Sequence, residues 1–280
     1  MNSEKDFENL NKLAELGDSN AMYKLGSFFD RGDNVDLKKA FYWYKLAAEK
    51  GHIEAQYTLA DCYAVGLGTE VDWETAYKWF LCAAQKGHAE AQFDVAECLA
   101  TGTGVDENAE EALVWYKKSA ENGCASAQVE LGLIYGDGEM VERNYAEAAK
   151  WFKRAADQDD GEGQYNLACS YLNGEGVEKD YSLAFKLFGL AAEQGLRSAM
   201  CNLGYCYEMG YGTPTDMKKA NECYLKAAQK KDEVAAFNLG ESYELGKGVE
   251  KDITTALKWY SLAAELGDSD AQQKVHELKK

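Results

Sequence analysis

Positive charge is what this 280-residue chain has least of. Thirty lysines and arginines stand against 48 aspartates and glutamates, a formal net charge of −18. Binding nucleic acid or an anionic membrane requires clustered Lys and Arg to neutralise phosphates. No such cluster is visible, so neither ligand is expected. Long apolar runs are missing too: nothing approaches the roughly 18 consecutive apolar residues of a membrane-spanning helix. The start, Met1-Asn2-Ser3-Glu4-Lys5-Asp6, lacks the basic-then-apolar pattern of a secretory leader. The sequence therefore reads as cytoplasmic. Catalytic signatures are absent as well: there is no His-Glu-x-x-His, no G-x-x-x-x-G-K-[ST] phosphate loop and no G-x-S-x-G elbow. No catalytic residue, cofactor or metal is expected, and the chain reads as a non-enzyme.

What the chain does have is glycine at a nearly constant interval: Gly32, Gly66, Gly102, Gly138, Gly174, Gly210 and Gly246. The first gap is 34 residues and each later gap is 36. A period in that range marks one supersecondary unit repeated along the chain, each unit relying on its neighbours to bury its apolar face. A hydrophobic content of 46% argues that such a core forms.

Aligned on the glycines, each unit opens with a proline-free stretch carrying apolar residues at helical spacing, such as Tyr57, Leu59 and Tyr63. This is helix A. A small residue follows its leucine position in every unit (Gly26, Ala60, Ala96, Gly132, Ala168, Gly204, Gly240). Since glycine costs a helix interior about 1 kcal/mol relative to alanine, close helix packing is expected there. The periodic glycine ends helix A in the left-handed conformation. An Asx residue (Asp36, Asp72, Asn108, Asn144, Asp180, Asp216, Asp252) then caps helix B. Helix B carries an alanine, aromatics one turn later (Trp79-Phe80, Trp115-Tyr116), and a small pair such as Ala83-Ala84.

The eight cysteines resist a disulfide reading. Cys62, Cys98 and Cys206 share one repeat position, where stacked helices about 8–10 Å apart exceed the reach of a bridge. Reduced thiols are expected. His52, His88 and Cys124 also share a position, too widely spaced for one ion with bonds of about 2 Å, and are expected on surface loops.

The run Ala235-Ala236-Phe237-Asn238-Leu239-Gly240, then Tyr243 to Val249 with Asp252, then Ala256-Leu257-Lys258-Trp259-Tyr260 and Ala263-Ala264 resembles the Sel-one-like repeat (SLR) family, relatives of tetratricopeptide repeats. The resemblance covers essentially the whole chain. It implies an all-α fold, a right-handed α/α superhelical solenoid of antiparallel helix pairs forming a single repeat domain over 1–280. Its parts are a half-unit at about 6–20, repeats 21–54, 55–90, 91–126, 127–162, 163–198, 199–234 and 235–270, and a partial unit at 271–280 that caps the stack or leaves an end for association. Some secreted relatives carry paired cysteines and are described as binding or acting on penicillin. This chain lacks those pairs, and none of its serines begins a Ser-x-x-Lys quartet.

The resemblance also implies a generic scaffold for protein–protein interaction, with helix A lining a concave wall. The residues mapped to that wall are Tyr57, Asp61, Phe93, Asp94, Glu97, Glu130, Tyr165, Asn166, Asn202, Tyr205, Phe237, Asn238 and Glu241. Asn166, Asn202 and Asn238 recur in successive units, either as a ladder for an extended peptide backbone or as bonds to the neighbouring repeat. The segment 55–126 holds twelve acidic and four basic residues, a local balance of −8. Together these point to an adaptor that takes a protein or peptide bearing Lys or Arg. The alternative is an acidic inhibitor or immunity-type protein capping a basic toxin or enzyme. Only Lys24 and Arg31 offer inward positive charge, which argues against a receptor for acidic carboxyl-terminal tails.

Overall fold

The computed structural model describes residues 4–31 and 35–279, with side chains from Phe7 onward. The expected helix-ending Gly32 lies outside the described residues. Sixteen α-helices and no strand occur among those described. The A-type helices are α2 (Ser19–Asp30), α4 (Ile53–Val65), α6 (Ala89–Thr101), α8 (Ala125–Asp137), α10 (Gly161–Asn173), α12 (Arg197–Met209), α14 (Glu233–Leu245) and α16 (Ser269–Leu278). The B-type helices are α3 (Leu37–Glu49), α5 (Trp73–Ala84), α7 (Ala109–Glu121), α9 (Tyr145–Ala156), α11 (Tyr181–Glu193), α13 (Met217–Gln229) and α15 (Ile253–Leu266). A B-type half-unit, α1 (Glu4–Glu15), precedes them and packs Phe7 against Phe28 at 4.9 Å between ring centroids. The helices gather into two compact units, Met1–Leu131 and Gly132–Lys280, with the boundary inside α8.

Each pair is an α/α hairpin, and its ends follow from local chemistry. All seven Asx residues accept a hydrogen bond from a backbone N–H in the first turn of helix B, as the sequence predicts. Losing such a cap costs about 1 kcal/mol. Gly66, Gly102, Gly174, Gly210 and Gly246 end their A helices with φ between 69° and 78°.

The second glycine of each loop has a different task, carried by tertiary approach. A Cβ on Gly176 would fall on the carbonyl of Tyr145, the first residue of the preceding helix B, and Gly212 meets Tyr181 in the same way. The missing side chain lets each loop rest on the first turn of its neighbour's helix B.

The core of a hairpin is a ring against a bare backbone. A Cβ on Gly26 would stand 2.5 Å from the Tyr44 ring, and one on Gly240 would stand 2.6 Å from Tyr260. These tyrosines are buried. Their hydroxyls donate to a carboxylate on helix A: Tyr44 to Asp30 at 3.3 Å, Tyr224 to Glu208 at 2.8 Å and Tyr260 to Glu244 at 2.6 Å. A second link joins successive repeats within a unit. Gln56, Gln92 and Gln128 are buried and donate through Nε2 to the carbonyls of Ala48, Ala84 and Ala120, closing the end of the preceding helix B. The partial unit docks on the preceding hairpin: Ala271 is buried, Val275 and Leu278 pack on the α14–α15 core, and Lys274 pairs with Glu244 at 2.9 Å.

Two predictions test this scheme. Gly176→Ala imposes both left-handed strain and a clash with fixed backbone, whereas Gly195→Ala imposes strain alone, since only the Lys230 tip lies within 4 Å. Gly195→Ala is expected to cost about 1–2 kcal/mol and Gly176→Ala about 3 or more, read by chemical denaturation. Conversely, Asp159 and Lys231 occupy left-handed positions (φ 60° and 63°) that equivalent repeats give to glycine. Lys231→Gly is expected to stabilise the protein by about 1 kcal/mol in the same assay.

Candidate interaction face

The exposed side of the A helices carries the residues mapped from the sequence. In the first unit, α4, α6 and the start of α8 present Tyr57, Asp61, Phe93, Asp94, Glu97 and Glu130, all half-buried. Tyr57 is held on three sides. Its ring packs on Phe80 of its own hairpin at 5.8 Å, stacks on the His88 imidazole at 4.5 Å and 23°, and directs its hydroxyl to Asp94 of the next repeat. His88 in turn caps α6, accepting from Ala91 N–H through Nδ1 at 3.2 Å, and its side chain is 8% exposed. His52 does the same for α4 while stacking on Tyr23 at 4.8 Å. These histidines are therefore packed helix caps and Cys124 at the same repeat position is buried, so the expectation of surface-loop residues is corrected for all three. An imidazole nitrogen accepts from the opening amide as the Asp of other repeats does.

Asp61 and Asp94 come from successive repeats, and the Asp61 charge adds to the proton affinity of Asp94. Burial, reinforced by the neighbouring Asp61 charge, pushes Asp94 up to about 7. Burial pushes Asp61 up to about 6, with His88 acting in the opposite sense. Glu97 adds a third negative charge beside Asp94 and accepts the Tyr116 hydroxyl, while Glu130 acts on the same tyrosine. Among the described residues, no lysine or arginine forms an ion pair with Asp61, Asp94 or Glu97. A carboxylate cluster this desolvated is arranged to accept a cation or to hold protons.

In the second unit, α10, α12 and α14 carry Tyr165, Asn166, Asn202, Tyr205, Phe237, Asn238 and Glu241. Asn202 donates to the Tyr165 hydroxyl of the preceding repeat at 3.4 Å, the counterpart of the Tyr57–Asp94 contact with an amide in place of the acid. Asn166 instead donates to Glu162 O in its own helix at 2.9 Å and lines a cavity of about 300 Å³ with Leu133, Arg143, Cys169 and Glu175. Phe237 packs on Tyr260 at 5.3 Å, and Tyr205 lies edge-on to Tyr211 at 5.8 Å. The tyrosine and phenylalanine row thus spends much of its surface on pairing within the hairpin. Its acid and amide neighbours carry the chemistry.

The sequence reading missed a groove of about 770 Å³, which lies on the opposite side of the second unit among α11, α12 and α13. A signal was present: helix B carries Trp43, Trp79, Trp115, Trp151 and Trp259 at one position, but Leu187 and Cys223 in two adjacent repeats.

The sequence pattern of the Sel1 repeat matches residues 19–52, 53–88, 89–124, 125–160, 161–196, 197–232 and 234–268. The fold is similar to a protective antigen of uropathogenic Escherichia coli with an SLR fold (TM-score 0.86, 31% identity), over 97% of this chain and 59% of that one. It is also similar to a Sel1 repeat protein of Oxalobacter formigenes (TM-score 0.76, 30% identity), over 86% of this chain and 96% of that one. A shorter match joins 23% of the chain to 10% of the ERAD-associated E3 ubiquitin-protein ligase component HRD3A of Arabidopsis thaliana, at 38% identity. The chain spans about a tenth of the length of the curated relatives it matches. No helix among the described residues is long and apolar enough to cross a membrane.

The raised carboxylates fix a pH dependence. The native state keeps protons on Asp94 and Asp61 that an unfolded chain, with the ordinary value of 3.8, has already lost. Their contribution to stability is therefore fullest at low pH and falls as pH rises from about 4 to about 7. Asp94→Asn retains an acceptor for Tyr57 and removes the charge. It is expected to stabilise the fold by about 1–2 kcal/mol at pH 8, allowing for solvent screening, and by little near pH 4. Urea denaturation at the two pH values reads the difference.

Proposed function

Because the chain belongs to the Sel1 repeat family, we propose that it is a non-catalytic interaction scaffold that seats a Lys or Arg of a partner protein between Asp61 and Asp94. Members of this family typically act by binding, and the family is built for presenting side chains from a rigid stack. The observation that carries the reading is the acidic pair itself: two half-buried carboxylates, one repeat apart, with no Lys or Arg ion pair among the described residues. A guanidinium or ammonium placed there supplies the charge that their burial leaves uncompensated. Glu97, on the same helix as Asp94, and Glu130, on the next A helix, extend the acidic track. The aromatic row between them is held by hairpin packing, so little ordering accompanies binding.

In the second unit the same face is neutral and amide-lined. Asn166, Asn202 and Asn238 there offer their remaining carboxamide donors and acceptors to the backbone of an extended segment. Support comes from the repeated geometry at Tyr165 and Asn202, which puts a carboxamide where the first unit puts a carboxylate.

A direct test is the capture of partners from native lysate at low and high salt, comparing wild type with Asp61→Asn/Asp94→Asn. The double variant is expected to lose the salt-sensitive partner, and titration of a Lys- and Arg-containing peptide to weaken about tenfold or more. Because the carboxylates must ionise first, wild-type affinity for that peptide is expected to rise between about pH 6 and pH 8. Unchanged binding in the double variant, with a flat pH profile, rules the acidic seat out. A parallel Asn166→Ala/Asn202→Ala/Asn238→Ala variant reports separately on the amide row.

A further inference from the structure

The large cavity of the second unit has a definite origin in the repeat. Three residues after the buried alanine of helix B, most repeats place tryptophan, and Trp79 and Trp259 pack there against the cores of their units. Leu187 and Cys223 stand at this position in two successive repeats. A groove opens at each, between one helix B, the next helix A and the next helix B. At Leu187 it measures about 320 Å³, and at Cys223 about 770 Å³. The second is larger because its opposite wall is also cut back. Gly189 occupies a position that other repeats fill with Lys45, Leu81, Lys117, Lys153, Leu225 or Ser261, and no atom lies within 4 Å of where its Cβ would stand. Two truncations therefore face each other across one groove.

The groove's lining suits an aromatic guest. Its half-buried lining is Phe185, Met200, Leu203, Tyr207 and Cys223, with the Phe185 and Tyr207 rings edge-to-face at 5.2 Å. The exposed rim holds Lys186, Lys219 and Lys226 against Glu193 and Glu222, with Lys219 also 3.7 Å from Asp216. Lys219 lies 5.4 Å from the Tyr207 ring centroid. Lys186 and Leu190 line both grooves and form the wall between them.

We propose that the Cys223 groove is a docking site for a tryptophan side chain of a partner peptide whose flanking residues are acidic. The indole takes the place that five other repeats fill with their own tryptophan, and the flanking carboxylates meet Lys186, Lys219 and Lys226. This site lies in the second unit and the acidic seat in the first, so failure of either leaves the other standing.

The test is fluorescence anisotropy of a labelled short peptide with one tryptophan between Asp and Glu residues. Control peptides replace the tryptophan with alanine or the acids with glutamine. Wild type is expected to bind the first peptide saturably and each control about tenfold or more weakly. Cys223→Trp restores the repeat's own residue and is expected to abolish binding while leaving Tm equal or higher. Gly189→Leu, which fills the groove from the opposite wall, is expected to do the same and stands in if the first variant misfolds. Lys186→Glu/Lys226→Glu is expected to weaken binding about tenfold, and Asp61→Asn/Asp94→Asn to leave it unchanged. The proposal is overturned by absence of saturable binding in wild type, by equal binding of the alanine control, or by full binding in folded Cys223→Trp and Gly189→Leu.

Discussion

Each repeat is held by one contact: an aromatic ring of helix B lying on a residue of helix A that has little or no side chain. Tyr44 on Gly26, Phe152 on Gly132, Tyr224 on Gly204 and Tyr260 on Gly240 are the four cases where the partner is glycine. The geometry draws the two helix backbones together. Glycine weakens a helix by about 1 kcal/mol, and the buried ring returns more than that through area and dispersion. Where the ring is tyrosine, its hydroxyl must find an acceptor, and Asp30, Glu208 and Glu244 supply one at the far edge of helix A. Part of the chain's acidity is therefore structural.

The links between repeats depend on that hairpin spacing. The second loop glycine can rest on the neighbour's first turn, and the buried glutamines can reach the neighbour's last carbonyls, because each hairpin presents its ends at a fixed height. The same register places residue Tyr57 within reach of Asp94, and Tyr165 within reach of Asn202. The interaction face is thus built from a contact that recurs for packing reasons and changes its chemistry by substitution of one residue. A carboxylate there is desolvated and proton-hungry. An amide in the equivalent place is neutral and satisfied by a phenol.

Much of this was legible in the sequence. The glycine period, the Asx caps and the small-residue row each follow from backbone geometry that few residue types satisfy, and all appear where expected among the described residues. The docking of α16 was left open, because ten mostly polar residues with one buried alanine carry little periodic signal; the Lys274–Glu244 pair and the Val275 and Leu278 contacts are tertiary. His52 and His88 looked like loop residues because capping by imidazole depends on which nitrogen faces the helix, and on a ring to stack against. Asp61 and Asp94 were visible as acids, but the burial that raises their proton affinity is tertiary, as is the charge of Asp61 that adds to it at Asp94, 33 residues on in the chain. The glutamine links were invisible for the same reason: a buried Gln reads as an exposed one until its acceptor is known.

Departures from the repeat carry more information than its matches. A position kept for packing should resist truncation, since replacing a buried tryptophan by a small residue costs about 3–5 kcal/mol when the space stays empty. One such loss is ordinary variation. At Cys223 the loss coincides with Gly189 on the facing helix, and three lysines stand on the rim around them. Leu187 beside it is a partial truncation with a smaller groove, so the change is graded across two repeats. The acidic seat shows the converse logic, a packed register kept intact while its polar tip changes. In a scaffold whose stability is distributed over many similar hairpins, both kinds of change can be borne locally. The neighbouring repeats hold the shape, which leaves single positions available to recognition.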